Sequence, residues 1–452
     1  MKNLFFLAFF IISCFSGFSQ TFQVDTIYYN GGIEKYINVV ILGDGYQQSE
    51  MDTFKNNAIT FSNNWFQQTP FLEYKNFFNI FTINVPSNVS GAATDPDDLI
   101  DNYFGSSFNI GGIQRLMMPT KESKVITVLA NNFPAYDQVV MLVNSPIYGG
   151  SGGWVATAST HSSSSEVAIH EIGHSFSNLG DEYWAGFQYA TEKANRTEES
   201  NPELIKWKDW LNYNEVGIYE YEPPGKGWYR PHQACKMRYL FNPFCSVCTE
   251  QIFETIYNFS SPLNGFSPLD TNFIFTNPEE TFFLDLIKPN PNTLKIEWVL
   301  NGDSIVKNTD TLRVSRSSLI QGINNLVVTV RDTSALSRKK TKGTLKQKTV
   351  RWTIENLSTG IVENINWNDL FNVYPNPSSG KITIDFHSEI SVNNVIEIFT
   401  IEGKLLRRIN VVNQLPGNNS VSIDLSLAQE NILFIKLISE SKTETKRLIL
   451  LN

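Results

Sequence analysis

Positive charge, histidine, cysteine and long apolar runs are all scarce in this chain of 452 residues. Its 36 lysines and arginines are outnumbered by 45 acidic residues, which gives a net charge of -9 and a pI near 5.2. A nucleic-acid binder needs a basic face, so that class is excluded. Beyond the N-terminus no stretch approaches the roughly 20 apolar residues that cross a bilayer as a helix, and no stable membrane span is expected. Only four cysteines occur. Cys14 belongs to the N-terminal segment, which leaves Cys235, Cys245 and Cys248. An odd count in an exported protein implies one disulfide with one free thiol, or another arrangement. What is present is enough for folding: 41% hydrophobic and 18% charged residues support sizeable cores, and the length suits about three domains.

The N-terminus reads as a targeting segment. Lys2 supplies a positive start, an apolar run covers residues 4–15, and small and polar residues follow at 16–20, so cleavage is expected near Gln20. A membrane anchor and a lipid-modified Cys14 are the alternatives. Residues 21–260 mix strand-like and helix-like segments and form the expected catalytic unit, of α/β (α+β) class. Within it, residues 37–42 form a buried strand ended by Gly43-Asp44-Gly45. Residues 49–66 carry helical spacing, and residues 77–85, 125–129 and 138–143 read as strands. Residues 262–356 change to short alternating runs. Asn301-Gly302 after residues 295–300 signals a hairpin, residues 325–330 and 349–354 are further strands, and Trp298 is the expected core tryptophan of an immunoglobulin-like β-sandwich. Arg338-Lys339-Lys340 reads as a solvated loop. Residues 357–370 are a linker, and residues 371–452 are a last all-β module.

The chemistry concentrates at residues 162–183. Five histidines in the whole chain make His170-Glu171-Ile172-Gly173-His174 a pattern not expected by chance. Ser163 and Glu166 suit a capping box. Ile169, Ile172, Phe176 and Leu179 give a buried helical stripe, and Gly180 suits a left-handed helix end. His170 and His174, four apart, share one face and can hold one Zn²⁺. Glu171 beside them can act as general base toward the attacking water and then as acid toward the leaving amine. Catalytic zinc takes three protein ligands and keeps an open position. Asp181 is the expected third ligand and Glu182 the runner-up; both could instead bond the helix end, and His232 and His161 are more distant candidates. Asp95-Pro96-Asp97-Asp98 with Asp101 could take Ca²⁺, although a solvated acidic loop is the expected reading.

Cys235-Lys236-Met237-Arg238-Tyr239 resembles the methionine turn of metzincins, which would bring Tyr239 to the metal as a second catalytic residue; a packed core methionine and tyrosine stay open. Where metzincins carry a ligand six residues after the second histidine, this chain has Gly180. His232 and the three cysteines admit a structural zinc site, but a disulfide from Cys235 to Cys245 or Cys248, pinning the turn, is the expected arrangement.

Taken together, Val39-Val40-Ile41-Leu42-Gly43-Asp44-Gly45-Tyr46, the helix ending in Asp181-Glu182-Tyr183, and Cys235-x-Met237 with Cys245-x-x-Cys248 resemble the IgA-peptidase-type zinc metallopeptidases over residues 25–260. The resemblance implies a metzincin-like endopeptidase fold with one catalytic zinc on His170, His174 and Asp181, and Glu171 as catalyst. It does not carry over a substrate, because pocket loops vary freely on a shared scaffold. Val373-Tyr374-Pro375-Asn376-Pro377, then Gly380, Gly403 and a strand-like end at residues 446–451, resemble the C-terminal type A sorting domain of type IX secretion substrates. Asn431-Ile432-Leu433-Phe434 replaces that family's usual Gly-Tyr pair. This second resemblance implies an address read by the type IX secretion machinery and a secreted or cell-surface location. The expected function is therefore a secreted zinc endopeptidase acting on protein or peptide substrates. A zinc amidase acting on cell-wall peptides is one alternative. A surface adhesion protein with an inactive peptidase domain is another, and an intact Glu171 argues against it.

Overall fold

The computed structural model describes residues 21–98, 100–339, 345–357, 370–388, 394–411, 417–439 and 442–451. The targeting segment, most of the linker and Lys340 lie outside them. The chain divides into two compact units, one ending at Ser358 and the other starting at Thr359.

The N-terminal region is mixed α/β and contains few helices. Its six-stranded sheet runs in the order Gln23–Tyr28, Phe78–Asn84, Ile37–Asp44, Gln138–Val143, Val155–Ser159, Gly150–Ser151. The four inner strands pair in parallel, and the two outermost pair antiparallel. All of Ile37–Asp44 is buried, as expected of a parallel strand covered on both faces. The covering helices are α1 (Met51–Trp65), α2 (Glu122–Asn132), α3 (Ser164–Ser177) and α4 (Ser246–Phe259). Val39 and Ile41 pack into one core with residues of α1, α3 and α4, whereas Val40 and Leu42 face a second core that contains α2. Residues 125–129, expected as a strand, belong to α2. Val125, Val128 and Leu129 are its buried residues, at helical spacing, and a five-residue apolar run cannot separate the two periods.

The rest of this unit is largely β. One sheet holds Leu263–Ser267, Glu279–Leu286 and Thr311–Ser315; another holds Asn272–Ile274, Gln347–Asn356, Gly322–Asp332, Leu294–Leu300 and Asp303–Lys307. Trp298 is fully buried and stacks on Trp352 at 5.9 Å between ring centroids. The turn at Asn301-Gly302 has φ of 53° and 98°, the left-handed pair that a two-residue hairpin needs.

This β region is locked onto the helices by polar contacts. The buried Asp332 carboxylate accepts from the hydroxyls of Tyr74 and Tyr257, each at 2.5 Å, and from Thr293 at 2.7 Å. The basic tract expected to be solvated is part of the lock. The backbone N–H groups of Arg338 and Lys339 donate to Glu250 at 2.6 and 3.1 Å, and Lys339 pairs with Glu254 at 3.0 Å. Arg338 also lies over the Tyr213 ring. Acidic residues on α4 had no local signature that could announce this partner.

The second unit contains a sheet of Phe371–Tyr374, Lys381–Ser388 and Gly417–Asp424. Its other sheet is Leu405–Val411, Asn394–Thr400, Ile432–Ser439 and Lys442–Ile449. Alternate residues such as Ile382, Ile384, Ile396, Ile398, Leu433 and Ile435 fill its core. Among the described residues no helix is long and apolar enough to cross a membrane.

Replacing Asp332 with leucine leaves two buried tyrosine hydroxyls without an acceptor. Each such group costs about 1–3 kcal/mol, so the variant should unfold at a clearly lower urea concentration. An unchanged midpoint would show that the contact contributes nothing.

Candidate metal centre

Helix α3 carries the site. Ala168, Ile169, Ile172 and Phe176 pack into the core, which fixes the rotation of the helix and turns His170 and His174 toward the chain that follows. The expected capping box does not form: Ser163 occupies the N-cap without a side-chain bond. Glu166 instead pairs with Lys236, which is 1% exposed, and accepts the Phe241 N–H at 2.9 Å. A buried ammonium without a counter-charge costs several kcal/mol, so this demand outweighs a cap worth about 1 kcal/mol. At the other end Asn178, not Gly180, takes the left-handed conformation, with φ of 54°. Its N–H reaches His174 O, and Leu179 N–H reaches Gly173 O, closing the helix through a left-handed residue just past its end. Gly180 is held at both its N–H and its carbonyl by the Asn195 side chain, and a Cβ there would stand 3.1 Å from the Arg196 guanidinium carbon.

His170 Nε2 and His174 Nε2 lie 3.2 Å apart, and each is 3.2 Å from Asp181 Oδ1. His170 Nδ1 donates to Lys236 O at 3.0 Å and His174 Nδ1 to Leu179 O at 2.8 Å. A carbonyl oxygen only accepts, so both Nδ1 atoms carry hydrogen and both neutral rings turn an Nε2 lone pair to one point. Asp181 Oδ1, also aimed there, is buried and receives no hydrogen bond. A tetrahedral metal with bonds of about 2.0–2.1 Å needs ligand atoms about 3.3–3.4 Å apart. The triangle therefore has the size and the donor chemistry of a zinc site with one side left open.

The charges are strongly coupled. Burial disfavours charge on His174, but Asp181 and Glu171 beside it outweigh burial and raise its pKa to about 9, so a metal bound at Nε2 would take the place of a proton there. Burial would raise Asp181 too, yet the His170 and His174 rings that face it hold it well below the usual carboxylate range. Burial pushes Glu171 upward, partly offset by His170 and His174. Tyr183 is also raised, first by burial and then by the Asp181 and Glu171 charges, with Arg115 opposing. A groove of about 350 Å³ opens beside His174 and Asp181, with Gln188, Thr191 and Arg196 on its wall.

The structure thus brings His170, His174 and Asp181 together, with Glu171 and Tyr183 in their field. Glu182 turns the other way, into the cysteines. His232 accepts from Ala234 N–H and faces Glu215, and His161 accepts from Ser163 N–H and packs on Tyr148. Tyr239 is half exposed under the Arg238 guanidinium, with no hydrogen bond to the triad among the described residues. The expected disulfide does not form. Cys235, Cys245 and Cys248 are buried free thiols, with Cys235 and Cys248 Sγ 3.6 Å apart. In the acidic loop Asp98 accepts from Thr94 and Asp95, Asp95 from Asn109 and Asp97, and Asp101 from Asn88. Sequence reasoning missed Tyr183, although it stands next in the quoted motif. It also missed Arg115, which no local pattern marks.

A helix-borne histidine pair, a carboxylate after the helix and a second carboxylate beside them form a donor set of the kind that metal-dependent peptidases use. Residues 27–218 match the family described as IgA Peptidase M64, so the N-terminal region is similar to a peptidase domain. Residues 372–451 match the family described as Secretion system C-terminal sorting domain. That domain directs export by type IX secretion to the cell surface or beyond, so both resemblances read from the motifs are matched. The peptidase match stops short of Met237 and the three cysteines. A search of the curated proteins finds no match. Among solved structures, β-glucuronidase of Parabacteroides merdae is 12% identical with a TM-score of 0.17, covering 50% of this chain and 28% of its own. For β-glucuronidase 3 of Bacteroides uniformis the values are 11%, 0.17, 50% and 29%. For the fibronectin(III)-like modules of Clostridium thermocellum CbhA they are 10%, 0.17, 41% and 93%. The chain thus spans less than a third of the two glucuronidase chains, and scores this low carry no argument about fold.

Close packing under the site is open to test. A Cβ on Gly173 would stand 2.7 Å from Met237 Sδ and 3.3 Å from Phe244. Gly173→Val should push the turn that carries the Lys236 carbonyl away from His170. Overpacking of this kind costs about 1–3 kcal/mol. The expected result is a lower melting temperature together with weaker zinc retention in equilibrium dialysis; wild-type values for both would show that the contact does not position the site.

Proposed function

We propose that the chain is a secreted zinc-dependent endopeptidase in which His170, His174 and Asp181 hold the metal and Glu171 is the general base. One observation carries this reading: two imidazole lone pairs and an unpartnered carboxylate oxygen converge at 3.2 Å, with both ring orientations fixed by backbone carbonyls. Bound there, zinc supplies a Lewis acid that activates water near neutral pH and polarises the peptide carbonyl. The residues of the chain do the rest. Glu171 has its proton affinity raised by burial, so it can take a proton from the attacking water and return it to the departing amine. Burial, joined by the Asp181 and Glu171 charges, keeps Tyr183 protonated, and it is the tyrosine we assign to hydrogen-bond the oxyanion of the substrate. Tyr239, on the methionine turn, is the other tyrosine considered for that role. A metzincin-like arrangement is supported by the chain reversal after α3 and by Met237 packed beneath Gly173. Two sheets around Trp298 support an immunoglobulin-like module.

Glu171→Ala should lose about 10²–10⁴-fold in casein cleavage while retaining its zinc by elemental analysis. Cleavage at the wild-type rate would remove Glu171 from the mechanism, and a wild-type chain that binds no zinc would overturn the reading. Tyr183→Phe should lower kcat by about 10²-fold with KM little changed, whereas Tyr239→Phe should stay near wild type. The reverse pattern would transfer the oxyanion role to Tyr239.

A further inference from the structure

Directly behind the histidine site lies a second set of ligand atoms. Glu182, Cys235, Cys245 and Cys248 each present one such atom, all within 4.8 Å of one another, and all four residues are buried. Cys235 Sγ is 3.6 Å from Cys248 Sγ, and Glu182 Oε1 is 3.1 Å from Cys248 Sγ and 3.8 Å from Cys245 Sγ. Around a tetrahedral zinc with bonds of about 2.3 Å to sulfur and about 2.0–2.2 Å to oxygen, sulfur atoms stand about 3.8 Å apart and sulfur and oxygen about 3.5 Å. The measured sulfur–oxygen separations fall on either side of the second edge, and the sulfur–sulfur separation of 3.6 Å lies close to the first.

We propose that Glu182, Cys235, Cys245 and Cys248 form a structural zinc site with three thiolate ligands and one carboxylate. A second observation points to a missing cation. Glu182 is 0% exposed, and its Oε2 is buried without any hydrogen-bond partner. Among the described ion pairs no lysine, arginine or histidine meets it. A buried carboxylate stays ionised only when paired or bound to a metal, and otherwise takes up a proton. Cys245 is the N-cap of α4 and Cys248 lies in its first turn, which sets two of the sulfurs at the positive end of the helix dipole. Cys245 N–H also donates to Cys235 Sγ at 3.3 Å. A Cys235–Cys248 disulfide would leave Cys245 as a buried lone thiol against Glu182. Because all four residues are buried, no open position remains for water, which makes the site structural rather than catalytic.

Its place in the chain says what it would hold. Glu182 follows Asp181, Cys235 precedes Lys236, and Glu182 N–H donates to Met237 O at 2.7 Å. One ion would therefore pin to α4 both the segment that supplies the third ligand and the turn whose carbonyl orients His170. This site does not depend on metal at the histidines.

The test uses the full chain carrying His170→Ala and His174→Ala, so that only the second site can hold metal. After gel filtration it should retain about one equivalent of zinc. Exchange with Co²⁺ should give intense sulfur-to-cobalt charge-transfer absorption in the near ultraviolet. Peptide mapping after denaturation with chelator should find Cys235, Cys245 and Cys248 all alkylated. Adding Glu182→Gln should keep the thiolate bands but speed metal loss to a chelator. A disulfide between any two of these cysteines, or three free thiols with no bound metal, would overturn the proposal. Cobalt bound without sulfur charge transfer would overturn it as well. Failure of the histidine site would appear separately, as a wild-type chain holding no more metal than this variant.

Discussion

His170 gives its Nδ1 hydrogen to the carbonyl of Lys236, 66 residues further along the chain, and His174 gives its own to Leu179 just past the end of α3. The geometry of the site rests on these two bonds. They choose the tautomer of each ring, aim both Nε2 lone pairs at one point, and leave Asp181 Oδ1 to complete the triangle. The Lys236 carbonyl is available because the Lys236 side chain is buried against Glu166 in the first turn of the same helix. Helix and turn therefore hold each other twice, once by charge and once through the imidazole. Glycine at 173 lets Met237 approach closely enough for both contacts to exist.

Asp181 and Glu182 are neighbours in the bend after α3, yet their carboxylates face different clusters. One faces the histidines and the other faces the cysteines. The backbone between them is tied to the methionine turn by the bond from Glu182 N–H to Met237 O. Two clusters of ligand atoms thus share one short stretch of chain, and a displacement of either would be felt by the other.

The motif Gly43-Asp44-Gly45-Tyr46 was informative as a family signature, but its physical task is support. Asp44 is fully buried and accepts from the N–H groups of Gly45, Phe104 and Ser106 and from the Ser87 hydroxyl. It gathers the long excursion after Phe78–Asn84 at the end of the central strand. That excursion continues to Arg115, whose charge reaches Glu171 and Tyr183. Asp332 plays the same part at the junction of the helices with the β region, where one carboxylate satisfies two tyrosines from different elements.

Local chemistry was legible wherever it is written within one turn or one strand. The histidine pair with Glu171, the buried stripe of α3, the parallel strand at residues 37–42, the Asn301-Gly302 hairpin and the core position of Trp298 all follow from periodicity or from backbone preference. The place of Asp181 beside the histidines was reachable because the helix end limits which residues can return to that face. Contacts between distant segments were not legible. The capping box gave way to Lys236, the left-handed residue moved from Gly180 to Asn178, the basic tract found acidic partners on α4, and three cysteines gathered around Glu182 without a disulfide. Sequence by itself determined which side chains could act as ligands, because spacing on a helix is local geometry. Tertiary structure alone decided where each one points, because burial makes a group take whichever partner the fold brings within reach.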